Sequence, residues 1–235
     1  MLEKKLKEII NNYEMIVKGI DKKATVSNDR AYGGVIRSGK GTLVEDMAKS
    51  LVEIAWDTVL KQDVNRLHMN KSKINIGIKE GYEKRIRNEE TKKYVIDNKD
   101  SLFYKFGTDV HVYIDEELVI PIECKAYTEN AMIKRILFDA VLMKEAKNID
   151  KYFLLQLESQ LGGDYSSLNP VILGSASTHA LISHVDIDLE IITLLEGERK
   201  VDKPIHKNEF YKPLKIESLK KAVNIFAEEL KKYAN

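Results

Sequence analysis

The stretch 106–127, "FGTDVHVYIDEELVIPIECKAY", decides the fold. Apolar and polar residues alternate on both sides of the acidic turn "DEE" at 115–117, and alternation at period two marks a half-buried strand. The spacing predicts one strand near 107–114 and a second near 117–126, joined as a hairpin. Charged groups nevertheless sit inside these strands, Asp109 in the first and Glu123 with Lys125 in the second.

Alternate strand residues share a face, so Glu123 and Lys125 point together while Ile122, Cys124 and Ala126 point into the other layer. A hairpin turning at 115–117 sets Asp109 roughly opposite that pair. Two carboxylates and an ammonium half-buried together are costly unless they neutralise one another or bind something. Hard oxygen ligands suit Mg2+, which uses few protein carboxylates and completes its shell with water and substrate phosphate. A lysine beside such an ion can orient or deprotonate the attacking water and stabilise charge developing on the phosphate. The same residues also read as a satisfied salt-bridge cluster on a solvent-facing sheet.

Glu-x-Lys by itself selects nothing, because the chain contains it six times, starting at Glu3, Glu90, Glu123, Glu145, Glu198 and Glu229. Only Glu123 lies in a run of strand formers, "LVIPIECKAY", and follows another strand that carries a carboxylate. Working outward, 129–147 reads as a helix with Met132, Ile136, Ala140 and Met143 on one side, and "KYFLLQLES" at 151–159 reads as a buried strand. A short strand is expected at 171–174, an ambiguous apolar stretch near 180–195, and a closing helix over 215–233. Upstream, Leu2, Leu6, Ile9, Tyr13, Ile16, Val17 and Ile20 predict an amphipathic helix over 2–20. A polar, Gly-containing loop follows, and then a helix from about Thr42 to Leu60. Residues 61–105 are expected to be irregular, with short helical or strand pieces.

On Asp109, the Glu123-Cys124-Lys125 triplet and the strand, strand, helix, strand order across about 100–160, the chain resembles the PD-(D/E)XK nuclease superfamily, and within it a type II restriction endonuclease. That resemblance implies an α/β fold with a mixed central sheet of four to five strands flanked by helices, in one domain over 1–235. It also implies that Asp109 and Glu123 bind Mg2+, that Lys125 serves the water nucleophile, and that double-stranded DNA is cut at a specific short sequence to leave 5′-phosphate and 3′-hydroxyl ends. A palindromic site would need two active sites related by a two-fold axis, hence a homodimer, with the apolar face of the first or last helix as a candidate interface. A structure-specific repair or recombination nuclease of the same superfamily, and a non-catalytic DNA-binding protein, are the other readings. Two residues depart from the pattern. Thr108 stands where the motif has Pro, a residue without chemistry, and Pro121 lies in a strand that should be internal, which calls for a bulge or a locally unpaired position.

Further candidates lie outside the hairpin. An acidic residue on an early helix often joins the metal site in such families, which points to Glu45, with Glu53 as the weaker substitute. Thr42 and Glu45 equally make a T-x-x-E capping box. "GVIRSGKGT" at 34–42 nearly spells a phosphate loop, but position 41 is Gly and no apolar strand precedes it. Arg37 and Lys40 of that loop are candidates for DNA phosphates, as are Lys134 and Arg135 on the helix after the motif. "GGDYSSLNP" and "SASTH" offer small hydrogen-bonding groups for base edges. His111 shares a face with Asp109, but no other histidine has ligand spacing with it, so no zinc is assigned.

Composition narrows the classes. The formal charge of +1 excludes a uniformly basic chain, yet residues 61–105 carry twelve Lys and Arg against seven Asp and Glu, while 106–200 carry eight against sixteen. A basic flank beside an acidic centre fits a polyanion held near a carboxylate cluster, and two ordinary solvated surfaces fit it as well. The single Cys124 excludes a disulfide framework. No apolar run reaches transmembrane length, and "MLEKKLKEII" lacks a signal peptide's apolar core, so a cytoplasmic protein without a membrane partner is expected.

Overall fold

The structure is a computed structural model that describes residues 1–26, 32–163, 165 and 174–234; the side chains of 20–26 and 32–37 lie outside the description. A five-stranded sheet carries the molecule. Its order is β1 (Leu67–Asn70), β4 (Val110–Ile114), β5 (Glu117–Glu129), β6 (Lys151–Gln160) and β7 (Asp188–Thr193). The β1–β4 and β4–β5 pairs are antiparallel, while the β5–β6 and β6–β7 pairs are parallel. The sheet is mixed, and helices cover both faces, as the α/β reading expects.

The hairpin of β4 and β5 forms where the alternation predicts it, but β4 starts at Val110 rather than 107. Its two-residue turn, Asp115 and Glu116, takes positive φ at both positions (47° and 70°), the backbone twist that closes tight hairpins. Arg66 holds the turn, with its guanidinium 2.6 Å from Asp115 and its carbonyl accepting the Asp115 N–H. Pro121 sits opposite His111, and the ladder to β6 begins only at Ile122. A register shift between Val112 and Tyr113, opposite Ile120 and Leu118, supplies the irregularity that the proline requires.

One face of the sheet is covered by α1 (Leu2–Val26), α2 (Tyr32–Glu53) and α6 (Ile216–Leu230). Leu6, Tyr13, Val44, Leu51, Phe226 and Leu230 from these helices pack against Val112, Ile122, Phe153 and Leu155 of the strands. The apolar faces of the first and last helices are therefore consumed inside the chain and cannot serve as a dimer interface. The other face packs against α4 (Asn130–Lys147) through Ile133, Ile136, Leu137, Ala140 and Met143. Ile133, not the expected Met132, is the buried residue of its first turn.

The largest difference from the sequence reading lies at 32–41. It expects a loop followed by a helix from Thr42, whereas α2 begins at Tyr32 and continues past Glu53 as a π-helical turn, Ile54–Val59. A helix interior has its N–H groups already bonded, so 34–42 has no phosphate loop to offer. Thr42 and Glu45 lie mid-helix and make no capping box. The expected irregular region resolves into β1, a separate two-stranded pair of β2 (Ile74–Gly77) and β3 (Phe103–Phe106), and α3 (Glu89–Asp97). The ambiguous stretch near 180–195 becomes the end of α5 (Ala176–Ser183) and β7. The strand expected at 171–174 lies outside the described residues except for Gly174. No described helix is long and apolar enough to cross a membrane.

Candidate active site

Strand termination builds the site. The β4 ladder ends with Val110 opposite Ile122, so the side of β5 facing β4 has no backbone partner beyond that point. Asp109 fills the gap. Its Oδ2 accepts the Cys124 N–H at 2.8 Å, a side-chain carboxylate standing where the next ladder bond would fall. Lys125 Nζ lies 3.2 Å from the same Oδ2, is ion-paired with Glu123, and donates to the Cys124 carbonyl at 3.2 Å. Asp109, Glu123 and Lys125 thus meet at one point, the first just before β4 and the other two on β5.

Glu123 is the deep member, with a side chain 7 % exposed, while Asp109 and Lys125 at 29 % and 27 % open the cluster to solvent. Burial holds the Glu123 carboxyl above the usual carboxylate range, opposed by Lys125 and reinforced by Asp109. Burial alone would lower the Lys125 amine, but the two carboxylates outweigh it and hold it above the ordinary lysine value. Lys125 is therefore an ammonium here. The Cys124 thiol points into the opposite layer and is pushed well up by burial and then by Asp109, Glu123 and Glu45, which leaves it an inert packing group.

Among the described residues no three His, Cys, Asp or Glu side chains lie close enough together to enclose a metal ion. The two carboxylates that do converge share one cation already, the Lys125 ammonium, which shows that Asp109 and Glu123 can face a common positive charge. Two hard oxygen donors, partly open to water, fit a magnesium ion that draws its other ligands from water and phosphate.

The remaining candidates fall at different distances from this point. Glu45, on α2, is ion-paired with Lys71 just beyond β1, and its charge reaches the Cys124 thiol together with those of Asp109 and Glu123. Glu53 lies at the end of the same helix, beside Lys5, Glu8 and Ile54. Lys40 is not on a loop: it is buried in α2, where burial lowers its amine and Glu158 opposes the shift. The Arg37 side chain lies outside the described residues. Lys134 and Arg135 are exposed on α4, with Arg135 3.6 Å from Asp139. His111 is buried and structural. Its Nε2 accepts the Thr108 N–H at 3.2 Å, and burial, with Lys73, pushes its imidazole down to about 4. Of the small polar groups, Ser175 caps α5, and Thr178 bonds Asn130 and the Leu161 carbonyl.

Two residues near the triad escape the sequence reading. Asp139, on the buried side of α4, is held above the usual carboxylate range by burial, and its charge acts on Glu123 and Lys125. Its signal is a carboxylate between Ile136 and Ala140 in an apolar stripe. Gln156, fully buried in β6, is the ladder partner of Lys125, and its signal is an amide inside "KYFLLQLES".

A carboxylate pair with a lysine on adjacent strands of a mixed sheet is the arrangement the resemblance implies, and comparison of the whole sequence assigns the class: the chain belongs to the type II restriction enzymes. It is 44 % identical over 228 residues to the type II restriction enzyme DdeI of Desulfomicrobium norvegicum (strain DSM 1741 / NCIMB 8310), covering 97 % of this chain and 95 % of that one. Among solved structures it is similar to a chain of the native BbvCI A2B2 tetramer, with a TM-score of 0.38 and 14 % identity over 96 % of this chain and 88 % of that one. A likeness that distant supports no conclusion. No family model matches the chain.

Proposed function

We propose that this type II restriction enzyme is a Mg2+-dependent endonuclease that hydrolyses phosphodiester bonds of double-stranded DNA at a specific short sequence. The observation that carries the reading is the convergence of Asp109 and Glu123 on one cation, the Lys125 ammonium, at a partly open point of the central sheet.

Asp109 and Glu123 are the residues that would hold Mg2+, the shallow carboxylate meeting solvent and the deep one fixing the position. A magnesium ion bound there supplies positive charge to the phosphate and acidifies a water. Lys125, kept protonated by its neighbours, acts as a donor: it orients the attacking water and stabilises the negative charge that develops on the phosphate oxygens. Glu45 supplies an auxiliary carboxylate from α2, released when Lys71 turns to other partners. The family resemblance implies 5′-phosphate and 3′-hydroxyl ends.

Two surfaces support DNA contact. Lys134 and Arg135 extend from α4 on the layer that holds the triad. The excursion between β1 and β4 exposes Tyr82, Tyr94, Phe103 and Tyr104 among its surplus of basic residues, with the Arg85 guanidinium 5.4 Å from the Tyr82 ring. Cutting both strands of a palindrome needs two copies of the site, so the working unit is a homodimer whose interface lies away from the buried faces of α1 and α6. The reading belongs in the cytoplasm, where the DNA is.

Incubation of the purified protein with unmethylated phage DNA tests this reading, with Mg2+ or with EDTA, beside the Glu123→Ala and Lys125→Ala variants. Discrete bands that need Mg2+ and vanish in both variants are expected. Intact DNA, or cleavage indifferent to both substitutions, would overturn the assignment of the site.

A further inference from the structure

Gln156 has an acceptor that the proposed mechanism leaves unused. It is fully buried in the middle of β6, the ladder partner of Lys125 on β5 and of Thr193 on β7. Side chains of ladder partners leave the same face of a sheet, with neighbouring strands about 4.8 Å apart, so Lys125, Gln156 and Thr193 stand in one row. The amide Nε2 donates to Thr193 Oγ1 at 3.0 Å. Among the described residues the amide Oε1 has no hydrogen-bond partner. A buried acceptor left open costs about 1–3 kcal/mol, which marks it as a group awaiting a donor in another state.

Lys125 is the donor that the row places next to it. Here its Nζ is held by Asp109, Glu123 and the Cys124 carbonyl. The first two are the carboxylates assigned above to a divalent cation, and a cation taking them displaces the ammonium. An ammonium half-buried in the sheet then needs neutral acceptors. The Cys124 carbonyl is one. Gln156 offers another, with its nitrogen tied to β7 and its oxygen, unpartnered among the described residues, on the strand beside Lys125.

We infer that Gln156 is a positioning residue whose carbonyl oxygen takes Lys125 Nζ when a divalent cation occupies Asp109 and Glu123. The inference rests on the reading of those carboxylates as cation ligands. It gives a buried amide in the middle of β6 a role: it offers the lysine a second seat, so that cation binding and retention of the lysine do not compete. Thr193 anchors the amide from the β7 side.

Three variants test it: Gln156→Met keeps the length and loses the acceptor, Gln156→Glu keeps an acceptor oxygen, and Thr193→Val frees the amide nitrogen. Mn2+ binding to the DNA-free full chain by calorimetry, kcat and KM on a duplex with one cleavage site, and the thermal midpoint without cation are measured for each. Gln156→Met is expected to weaken Mn2+ binding about tenfold and to lower kcat about tenfold, with KM changed by less than about twofold. Gln156→Glu should recover most of both losses, and Thr193→Val should fall between. Wild-type cation binding and kcat in Gln156→Met would overturn the inference. Equal losses in the Met and Glu variants with equally lowered midpoints would reduce Gln156 to a packing role and overturn it as well. Absence of Mn2+ binding in the wild type, or binding and cleavage unaffected by Glu123→Gln, would instead show that the cation reading itself is wrong, and the inference would fall with it.

Discussion

Replacing Lys125 with Met removes the ammonium and keeps its aliphatic stem, so Glu123 is left facing Asp109 with no positive charge between them. Deleting one partner of a fully buried ion pair costs about 3–5 kcal/mol. Lys125 and Asp109 are 27 % and 29 % exposed, and solvent screening brings the expected cost to about 2 kcal/mol. In a chain of this size that is a fall in Tm of about 4–8 °C. The loss depends on pH, and its sign follows from Glu123. Burial already holds this carboxyl above its unfolded value, and Lys125 is what pulls it back, so the variant raises it further. A carboxyl raised by folding favours the folded state only while protonated, and that advantage is lost as pH climbs from the unfolded value through the folded one. The deficit against wild type should therefore be smaller at an acidic pH near the unfolded carboxylate range than at an alkaline one above the raised value. Urea unfolding at both pH values, with and without Mg2+, reads it out, and the cation should restore part of the loss at the higher pH by supplying charge to the same two carboxylates. A deficit equal at both pH values, or a variant more stable than wild type at the higher one, would refute the claim that the ammonium neutralises a buried carboxylate pair.

Three other outcomes follow from the structure. Glu45→Gln should lower cleavage about 10- to 100-fold, less than Glu123→Gln does, as measured by single-turnover cutting at saturating Mg2+. Joint replacement of Lys84, Arg85 and Arg87 by Ala should weaken DNA binding and reduce the slope of log K against log salt by about 2–3, with kcat at saturating DNA unchanged; a titration at several salt concentrations decides. Glu116→Gly relieves a non-glycine residue at φ 70° and leaves the Asp115 to Arg66 pair in place. It should raise the Tm by about 2–4 °C in a thermal melt, since left-handed strain costs about 1 kcal/mol.

The hairpin, α4 and β6 are legible because each carries its own period: alternation in the strands, spacing of three and four in the helix. The start of α2 is not. Gly33, Gly34 and Gly41, mixed with polar residues, read locally as a loop, but packing of Leu43, Val44 and Met47 against α1 and the sheet extends the helix back through them. β1 escapes for a different reason. "LHMN" is a four-residue edge strand with no buried residue, so it has no apolar alternation to show and is defined only by its partner β4.

The triad is legible because its three members sit fourteen and two residues apart on strands that the local pattern already pairs. Asp139 and Gln156 come from the elements that fold back over and beside that hairpin, and only the α4 packing and the β6 register bring them in. The register also explains why the site lies where it does. Pro121 donates no ladder bond, so β5 gains its second neighbour only from Ile122 onward, and β4 stops at Val110. Beyond Ile122, where both limits fall, β5 is braced by β6 on one side and open on the other, and the opening leaves the Cys124 N–H to be satisfied by Asp109. A rigid strand with one unpaired side is what lets a carboxylate from the residue just before β4 approach Glu123 and Lys125 without breaking the sheet. Extending β4 by two residues toward its N-terminus would fill that opening with backbone and remove the site while leaving the fold intact.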